Sequence, residues 1–223
     1  MMSLPANASW SYDYQPIAGS DEEKTLSLLK KTLTGFPMLE WLIDLDKDLF
    51  LFFNGLGHPF LDTIMIWLSD KYIWFPFYGY LIFRLYQHYK WQFYQPLIAL
   101  ILVIIIADQT TSGFMKPFFE RLRPCHEASL AELIVLVKGC GGTYGFASSH
   151  AANTFGLATF FFLIERSKFS VIMIVWALLV SYSRIYLGVH YPFDVVVGGM
   201  VGMAAAFLCK TLVYRINPGL ARR

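Results

Sequence analysis

Two histidines and one aspartate in the C-terminal half of the chain have the side-chain types and spacing needed for group transfer. His190 and Asp194 are spaced i, i+4, so on a helix that begins near Pro192 the carboxylate could accept the imidazole N–H and fix its tautomer. The other ring nitrogen would then be free to act as a nucleophile. His150 opens a separate apolar segment and could protonate a leaving oxygen as a general acid.

Cationic and hydroxyl side chains near these histidines predict a phosphate-binding site. Guanidinium groups match the geometry of phosphate oxygens, and a helix N-terminus offers free N–H groups and a favourable dipole to an anion. The residues that we expect to form this site are Lys116, Arg123, Ser148, Ser149 and Arg184. No neighbouring set of carboxylates could enclose a hard cation, so we expect no catalytic metal and no other cofactor.

The composition explains why so few ionisable residues are informative. Only 15% of the 223 residues are charged and 56% are hydrophobic, whereas a soluble domain has about 25% charged residues. This balance excludes a disordered chain and disfavours a water-soluble globule, and the net charge of +2 gives no indication of nucleic-acid binding. Ionisable residues that persist inside membrane segments are costly and are therefore candidates for a functional site.

Long apolar segments predict an all-α integral membrane protein, because helices satisfy their own backbone hydrogen bonds in lipid. Five segments are long enough, or nearly so, to span a bilayer: 72–90, 91–115, 150–165, 169–187 and 191–214. Residues 59–69 predict a sixth membrane helix, alone or tilted. Residues 39–57 interleave acidic and apolar side chains, which favours an amphipathic helix at the interface. Residues 1–37 are polar and mixed, and we interpret them as an N-terminal extension that is flexible or non-native.

Charged loops predict the orientation of the bundle. Basic residues occupy the turn near Arg84 and Lys90, the turn at Arg166 and Lys168, and the segment after the last helix. These places lie on one side if the helices alternate, and basic loops tend to remain cytoplasmic. The opposite, extracytoplasmic side then receives the loop 117–149, where the cations that oppose this bias need another reason to be present.

Three further residues each allow two interpretations. Asp108 lies eight residues before Lys116, on roughly the same helix face, so it could pair with Lys116 or an active-site arginine, or form a helix-packing hydrogen bond. Cys125 and Cys140 both fall in the loop assigned to the outside, where disulfides can persist. They could form a bridge that braces the loop, or remain two free thiols.

These residues resemble, in order and spacing, the motifs of the type 2 phosphatidic acid phosphatase (PAP2) superfamily of membrane lipid phosphatases. The family pattern is KxxxxxxRP, then PSGH, then SRxxxxxHxxxD. The matching residues are Lys116, Arg123 and Pro124, then Ser148 and His150, then Ser183, Arg184, His190 and Asp194. In the second motif Ala147 replaces the usual proline and Ser149 replaces the usual glycine. The resemblance covers roughly residues 45–214.

The resemblance implies a six-helix membrane bundle of the PAP2/haloperoxidase type within residues 38–223, and metal-independent hydrolysis of a lipid phosphate or diphosphate. It implies that His190 forms a phosphohistidine, that Asp194 orients it, and that His150 protonates the leaving group. The expected substrates are undecaprenyl diphosphate, phosphatidylglycerol phosphate, phosphatidic acid or a lipid A phosphate, reached from the extracytoplasmic face of a bacterial inner membrane.

Two other functions remain open on the sequence. A lipid phosphotransferase would use the same site and pass the phosphoryl group to an acceptor other than water. A membrane anion transporter would use the same cations and histidines without needing the pairing of His190 with Asp194.

Overall fold

A computed structural model of the chain describes residues 37–217, which form helices joined by turns and one long loop. The helices are α1 (Pro37–Asn54), α2 (Pro59–Ser69), α3 (Phe75–Tyr89), α4 (Tyr94–Asp108), α5 (Ser149–Glu165), α6 (Lys168–Tyr186) and α7 (Pro192–Ile216). Within the described residues there is no β-strand, only an isolated bridge between Leu122 and Tyr144. The predicted all-α class is therefore confirmed. The predicted N-terminal extension lies, except for Pro37, outside the described residues.

Helix α1 contains the boundary between two compact units of the chain, Met1–Asp44 and Leu45–Arg223. The described part of the first unit is the N-terminal half of α1, where the side chains are mostly exposed. In the second unit α1 is amphipathic, with Asp46, Phe50 and Asn54 buried. The helix predicted over 39–57 is thus present, although it ends at Asn54.

The predicted membrane helices correspond to α2 through α7. Three helical runs within residues 37–217 are long and apolar enough to cross a membrane: Phe75–Phe119, Lys168–Tyr186 and Pro192–Arg215. The first run has 45 residues, which at about 1.5 Å per residue is roughly twice the ~30 Å core of a bilayer. It is interrupted at Lys90, whose φ is 52°, and therefore accommodates both of the predicted segments 72–90 and 91–115.

The remaining two predicted membrane segments are shorter. Helix α5 has 17 residues, fewer than the roughly 20 that span a bilayer core, and it packs against α4, α6 and α7. Helices α1 and α2 qualify as a span only as a pair, and they are bent by 116° at their junction. All six helices of the predicted bundle are present as α2 to α7, which confirms the six-helix fold, and the long apolar runs make the chain an integral membrane protein.

Glycines set the close crossing of α5 and α7. A Cβ atom added to Gly202 would overlap the backbone carbonyl of Ala152, and one added to Gly198 would overlap the carbonyl oxygen of Ser148. A Cβ atom on Gly156 would lie 2.8 Å from the Cγ1 atom of Val103 in α4. Small residues let membrane helices approach closely in this way. The contact brings the N-termini of α5 and α7 together.

After α4 the chain continues as a more widely wound helix before the long loop begins. Residues Gln109–Met115 form a π-helical segment, and one α-helical turn, Lys116–Phe119, follows it. π-Helical turns are rare and are frequently found at functional sites. Lys116, the first cation of the predicted phosphate site, therefore comes directly after this segment.

Hydrogen bonds and one disulfide bond fix the loop that joins this turn to α5. The backbone N–H of Arg123 donates to the carbonyl of Thr143 at 3.1 Å, and that of Gly145 donates to the carbonyl of Arg121 at 2.8 Å. Cys125 and Cys140 form a disulfide bond, with their Cα atoms 5.9 Å apart. The two ends of the loop therefore lie side by side.

Replacing Gly202 with Ala is expected to destabilise the protein by about 2 kcal/mol, because an added methyl group overfills a well-packed contact. The midpoint of thermal unfolding in detergent should fall by roughly 5 °C. The matched control is Gly79→Ala in α3, where an added Cβ atom meets no side chain or neighbouring element within 4 Å. Equal midpoints for the two variants would contradict the proposed role of the crossing.

Candidate active site

A cavity of about 350 Å³ lies where the long loop meets the N-terminus of α5. Seven of the residues singled out in the sequence line this cavity: Asp108, Lys116, Arg123, Ser149, His150, Arg184 and His190. They come from the end of α4, the helical turn that follows the π-helical segment, the long loop, α5, α6 and the turn before α7. Helix packing thus brings into one cavity side chains that lie up to 82 positions apart, from 108 to 190.

His190 and Asp194 form a buried pair at the start of α7. The Nδ1 atom of His190 lies 3.3 Å from the Oδ2 atom of Asp194, which also accepts the backbone N–H of Tyr191 at 3.1 Å. Burial, and then the nearby positive charges of Arg184, Arg123 and Lys116, lowers the pKa of His190 well below its ordinary value. The imidazole is therefore neutral at neutral pH. A neutral ring that donates its Nδ1–H to the carboxylate keeps a lone pair on Nε2.

Arg121, which the sequence-based site did not include, holds Asp194 from its other side. Its Nη1 atom lies 2.9 Å from Oδ1 of Asp194, and its Nη2 atom lies 2.7 Å from Oδ2 of Asp46 in α1. The guanidinium also stacks on the ring of Tyr191, 4.1 Å from its centroid. Asp46 is fully buried and accepts the backbone N–H of Phe193 at 2.8 Å. One guanidinium therefore connects α1 to the carboxylate beside His190.

The two serines of the second motif have different surroundings. Ser148 is fully buried and is the N-cap of α5, since its hydroxyl accepts the backbone N–H of Ala151 at 3.5 Å. Its own backbone N–H donates to the carbonyl of Asp194 at 2.9 Å. Ser149 lines the cavity, where its Oγ atom accepts a hydrogen bond from the Nζ atom of Lys116 at 2.9 Å. Ser148 thus lies behind the cavity and Ser149 within it.

Asp108 is linked to Lys116 through a serine. The Nζ atom of Lys116 donates to Oγ of Ser112 at 3.3 Å, and that hydroxyl lies 3.5 Å from Oδ1 of Asp108. The ion pairs among the described residues do not include Asp108. The carboxylate of Asp108 is therefore connected to Lys116 by hydrogen bonds through Ser112 and not by a direct ion pair.

The two arginines of the cavity are positioned by neutral groups. The Nε–H of Arg123 donates to the carbonyl of Tyr144 at 3.2 Å, and an Nη1–H of Arg184 donates to the hydroxyl of Ser69. Within residues 37–217 the Nε–H of Arg184 is buried and has no hydrogen-bond partner. A buried donor without a partner is costly, so this group is suited to a bound anion.

Comparison with known proteins identifies a family with this arrangement. Residues 96–218 match the family model of the PAP2 superfamily. The chain is 38% identical over 187 residues to the lipid A 4'-phosphatase of Bacteroides thetaiotaomicron. The alignment covers 82% of this chain and 83% of that protein. It is 36% identical over 181 residues to the lipid A 4'-phosphatase of Porphyromonas gingivalis, with coverage of 79% and 76%.

A solved structure supports the same assignment. The crystal structure of Aquifex aeolicus LpxE superposes with a TM-score of 0.60 at 30% sequence identity, and the match covers 75% of this chain and 95% of that one. The family match extends over more than half of the chain and includes the motifs that line the cavity. The chain therefore belongs to the PAP2 superfamily and is a membrane lipid phosphatase.

Proposed function

We propose that the chain hydrolyses a lipid A phosphate, without a metal ion, through a phosphohistidine formed on His190. The observation that carries the mechanism is the cavity in which a neutral, carboxylate-bound histidine lies with a second histidine and four cationic side chains. The substrate class is supported by the similarity to two proteins named lipid A 4'-phosphatase.

In the first step the Nε2 lone pair of His190 attacks phosphorus, and the bond between phosphorus and the lipid oxygen breaks. The bonding electrons leave with that oxygen, which receives a proton from His150 in its imidazolium form, a cation that the bound phosphate dianion stabilises. Positive charge develops on the imidazole ring of His190. Asp194 stabilises this charge and keeps the ring oriented, as a carboxylate does for a catalytic histidine elsewhere.

In the second step a water molecule attacks the phosphohistidine. His150, now neutral, accepts a proton from the water, the phosphorus–nitrogen bond breaks, and inorganic phosphate leaves. His190 returns to its neutral form. Each histidine thus reverses its own role between the steps, His150 from acid to base and His190 from nucleophile to leaving group, and the net reaction consumes one water molecule.

Three of the four cations of the cavity bind the phosphate oxygens in this scheme. Lys116, Arg123 and Arg184 line it together, and the unpartnered Nε–H of Arg184 offers a donor to an oxygen of the phosphoryl group. Ser149 contributes a hydroxyl beside Lys116. Ser148 contributes through the helix that it caps, because the N-terminal N–H groups of α5 favour an anion.

The proposed location is a bacterial inner membrane with the active site on the extracytoplasmic face. The loop 117–149 contributes residues to the site and also contains the disulfide bond of Cys125 and Cys140. Disulfides persist in oxidising compartments. The basic turns near Lys90 and Arg166 lie at the other ends of α4 and α5. This distribution agrees with the tendency of basic turns to remain in the cytoplasm.

Replacing His190 with Ala is expected to abolish release of inorganic phosphate from a detergent-dispersed lipid A phosphate, because the nucleophile is lost. Alkaline quenching during turnover should trap phosphohistidine in the unmodified protein only. The matched control is His88→Ala, an exposed histidine at the end of α3, which should remain fully active. Full activity of the His190 variant would remove the nucleophile assignment, and transfer to an acceptor without phosphate release would favour the phosphotransferase.

Addition of EDTA is expected to leave the rate of phosphate release unchanged, because the proposed steps use only histidines and cations of the chain. Vanadate should inhibit, since it adopts the five-coordinate geometry of phosphorus during attack by His190. The rates are measured on the same detergent-solubilised protein before and after dialysis. Strict dependence on a divalent cation would contradict the proposed mechanism.

Replacing Arg121 with Lys is expected to lower kcat about tenfold or more with little change in KM, because misplaced catalytic groups are costly. A lysine ammonium keeps the charge but cannot bridge two carboxylates in a fork, so Asp194 would orient His190 less well. The matched control is Arg84→Lys, which alters an arginine–glutamate pair of similar length, 2.8 Å to Glu165, outside the cavity. Equal kcat values for the two variants would show that Arg121 has no positioning role.

A further inference from the structure

A second cavity lies beside the catalytic one. Its volume is about 360 Å³, and its walls include Lys71, Arg123, His150 and Arg184, all of which also line the catalytic cavity. Its lining also includes the segment 138–141 of the long loop, which does not line the catalytic cavity. Because the two cavities share these walls, a molecule whose phosphate occupies the first can extend into the second.

The second cavity is strongly cationic. Lys71 and Lys138 join the two arginines in its lining, and Asp70 is the one acidic residue there. The Oδ1 atom of Asp70 accepts the backbone N–H of Tyr72 at 2.9 Å. Among the ion pairs of the described residues, neither lysine takes part. Both ammonium groups are therefore available to an anion that enters the cavity.

The backbone that carries Lys138 is held in place on both sides. On one side Cys140 is bonded to Cys125. On the other side Asn54 binds both backbone groups of Val135, donating to its carbonyl at 2.9 Å and accepting its N–H at 2.8 Å. Fixed binding groups lose less conformational entropy when a ligand binds. A cation on this segment can therefore contribute to affinity.

We infer that the second cavity binds a second phosphate of the substrate, separated from the scissile phosphate by a spacer of the size of a disaccharide. This inference rests on the proposed function and specifies the headgroup that the site accepts. The volume lies within the range of about 300–1,000 Å³ that is usual for small-molecule sites, so it has room for a sugar ring that carries a phosphate. In a polyprenyl diphosphate the two phosphates are bonded directly to each other, so both would stay in the catalytic cavity.

The test compares three probes on the purified full chain in detergent. They are a diglucosamine lipid with a phosphate at each end, the same lipid with only the scissile phosphate, and a polyprenyl diphosphate. Lys138→Ala should lower kcat/KM about tenfold for the first probe, mainly by raising KM, and leave the other two unchanged. Such a change corresponds to loss of about 1.4 kcal/mol of binding free energy. The matched control is Lys47→Ala, because Lys47 lines neither cavity and pairs with Glu127 at 3.7 Å.

The outcomes separate this inference from the proposed function. If the unmodified protein cleaves both glycolipids and Lys138→Ala affects them equally or not at all, the second phosphate site is wrong and the proposed function stands. If the variant loses as much activity on the polyprenyl diphosphate as on the two-phosphate lipid, the assignment to a spaced phosphate is overturned. If the unmodified protein cleaves only the polyprenyl diphosphate, both the substrate class and this inference are overturned.

Discussion

Burial of two carboxylates that share one arginine is the constraint on which the site depends. Asp46 and Asp194 have no exposed surface, and a buried carboxylate is tolerated only when it is paired and hydrogen-bonded. Arg121 meets this requirement for both, with oxygen distances of 2.7 and 2.9 Å. Loss of one partner from such a group typically costs about 3–5 kcal/mol. The second half of α1, the long loop and the start of α7 are therefore held together by one guanidinium, and the orientation of His190 follows from that bond.

Helix packing supplies the remaining geometry. The N-termini of α5 and α7 meet because Gly198 and Gly202 leave no side chain between the helices. The backbone N–H of Ser148 then donates to the carbonyl of Asp194 at 2.9 Å. This backbone contact places the residue after next, His150, on the wall of the cavity that His190 also lines. The two glycines, which take no part in the reaction, thus set the distance between His150 and His190 because they let the helices approach closely.

Residue types and lipid solvation made much of this predictable. The membrane helices were located because a bilayer requires long apolar stretches, and the cavity residues stood out because lipid excludes most other charges. Arg121 is one of the cations in the loop 117–149 that oppose the charge bias, and its partner Asp46 is one of the acidic residues in the segment 39–57, whose pattern favours an interfacial helix. Which acid of α1 is buried depends on the tertiary contact with Arg121, and no local pattern encodes that contact. The sequence likewise leaves the pairing of Cys125 with Cys140 open, because their proximity depends on how the loop folds.

The π-helical segment before Lys116 has a consequence for how this motif tolerates change. Each residue added to or removed from a helix turns everything beyond it by about 100° around the axis. Gln109–Met115 has the wider winding that absorbs an added residue within a continuous helix. The register of this segment decides whether the ammonium group after it faces the cavity or the acyl chains. An insertion or deletion between Asp108 and Lys116 would thus act as a rotation of the site, although every motif residue would still be present in the sequence.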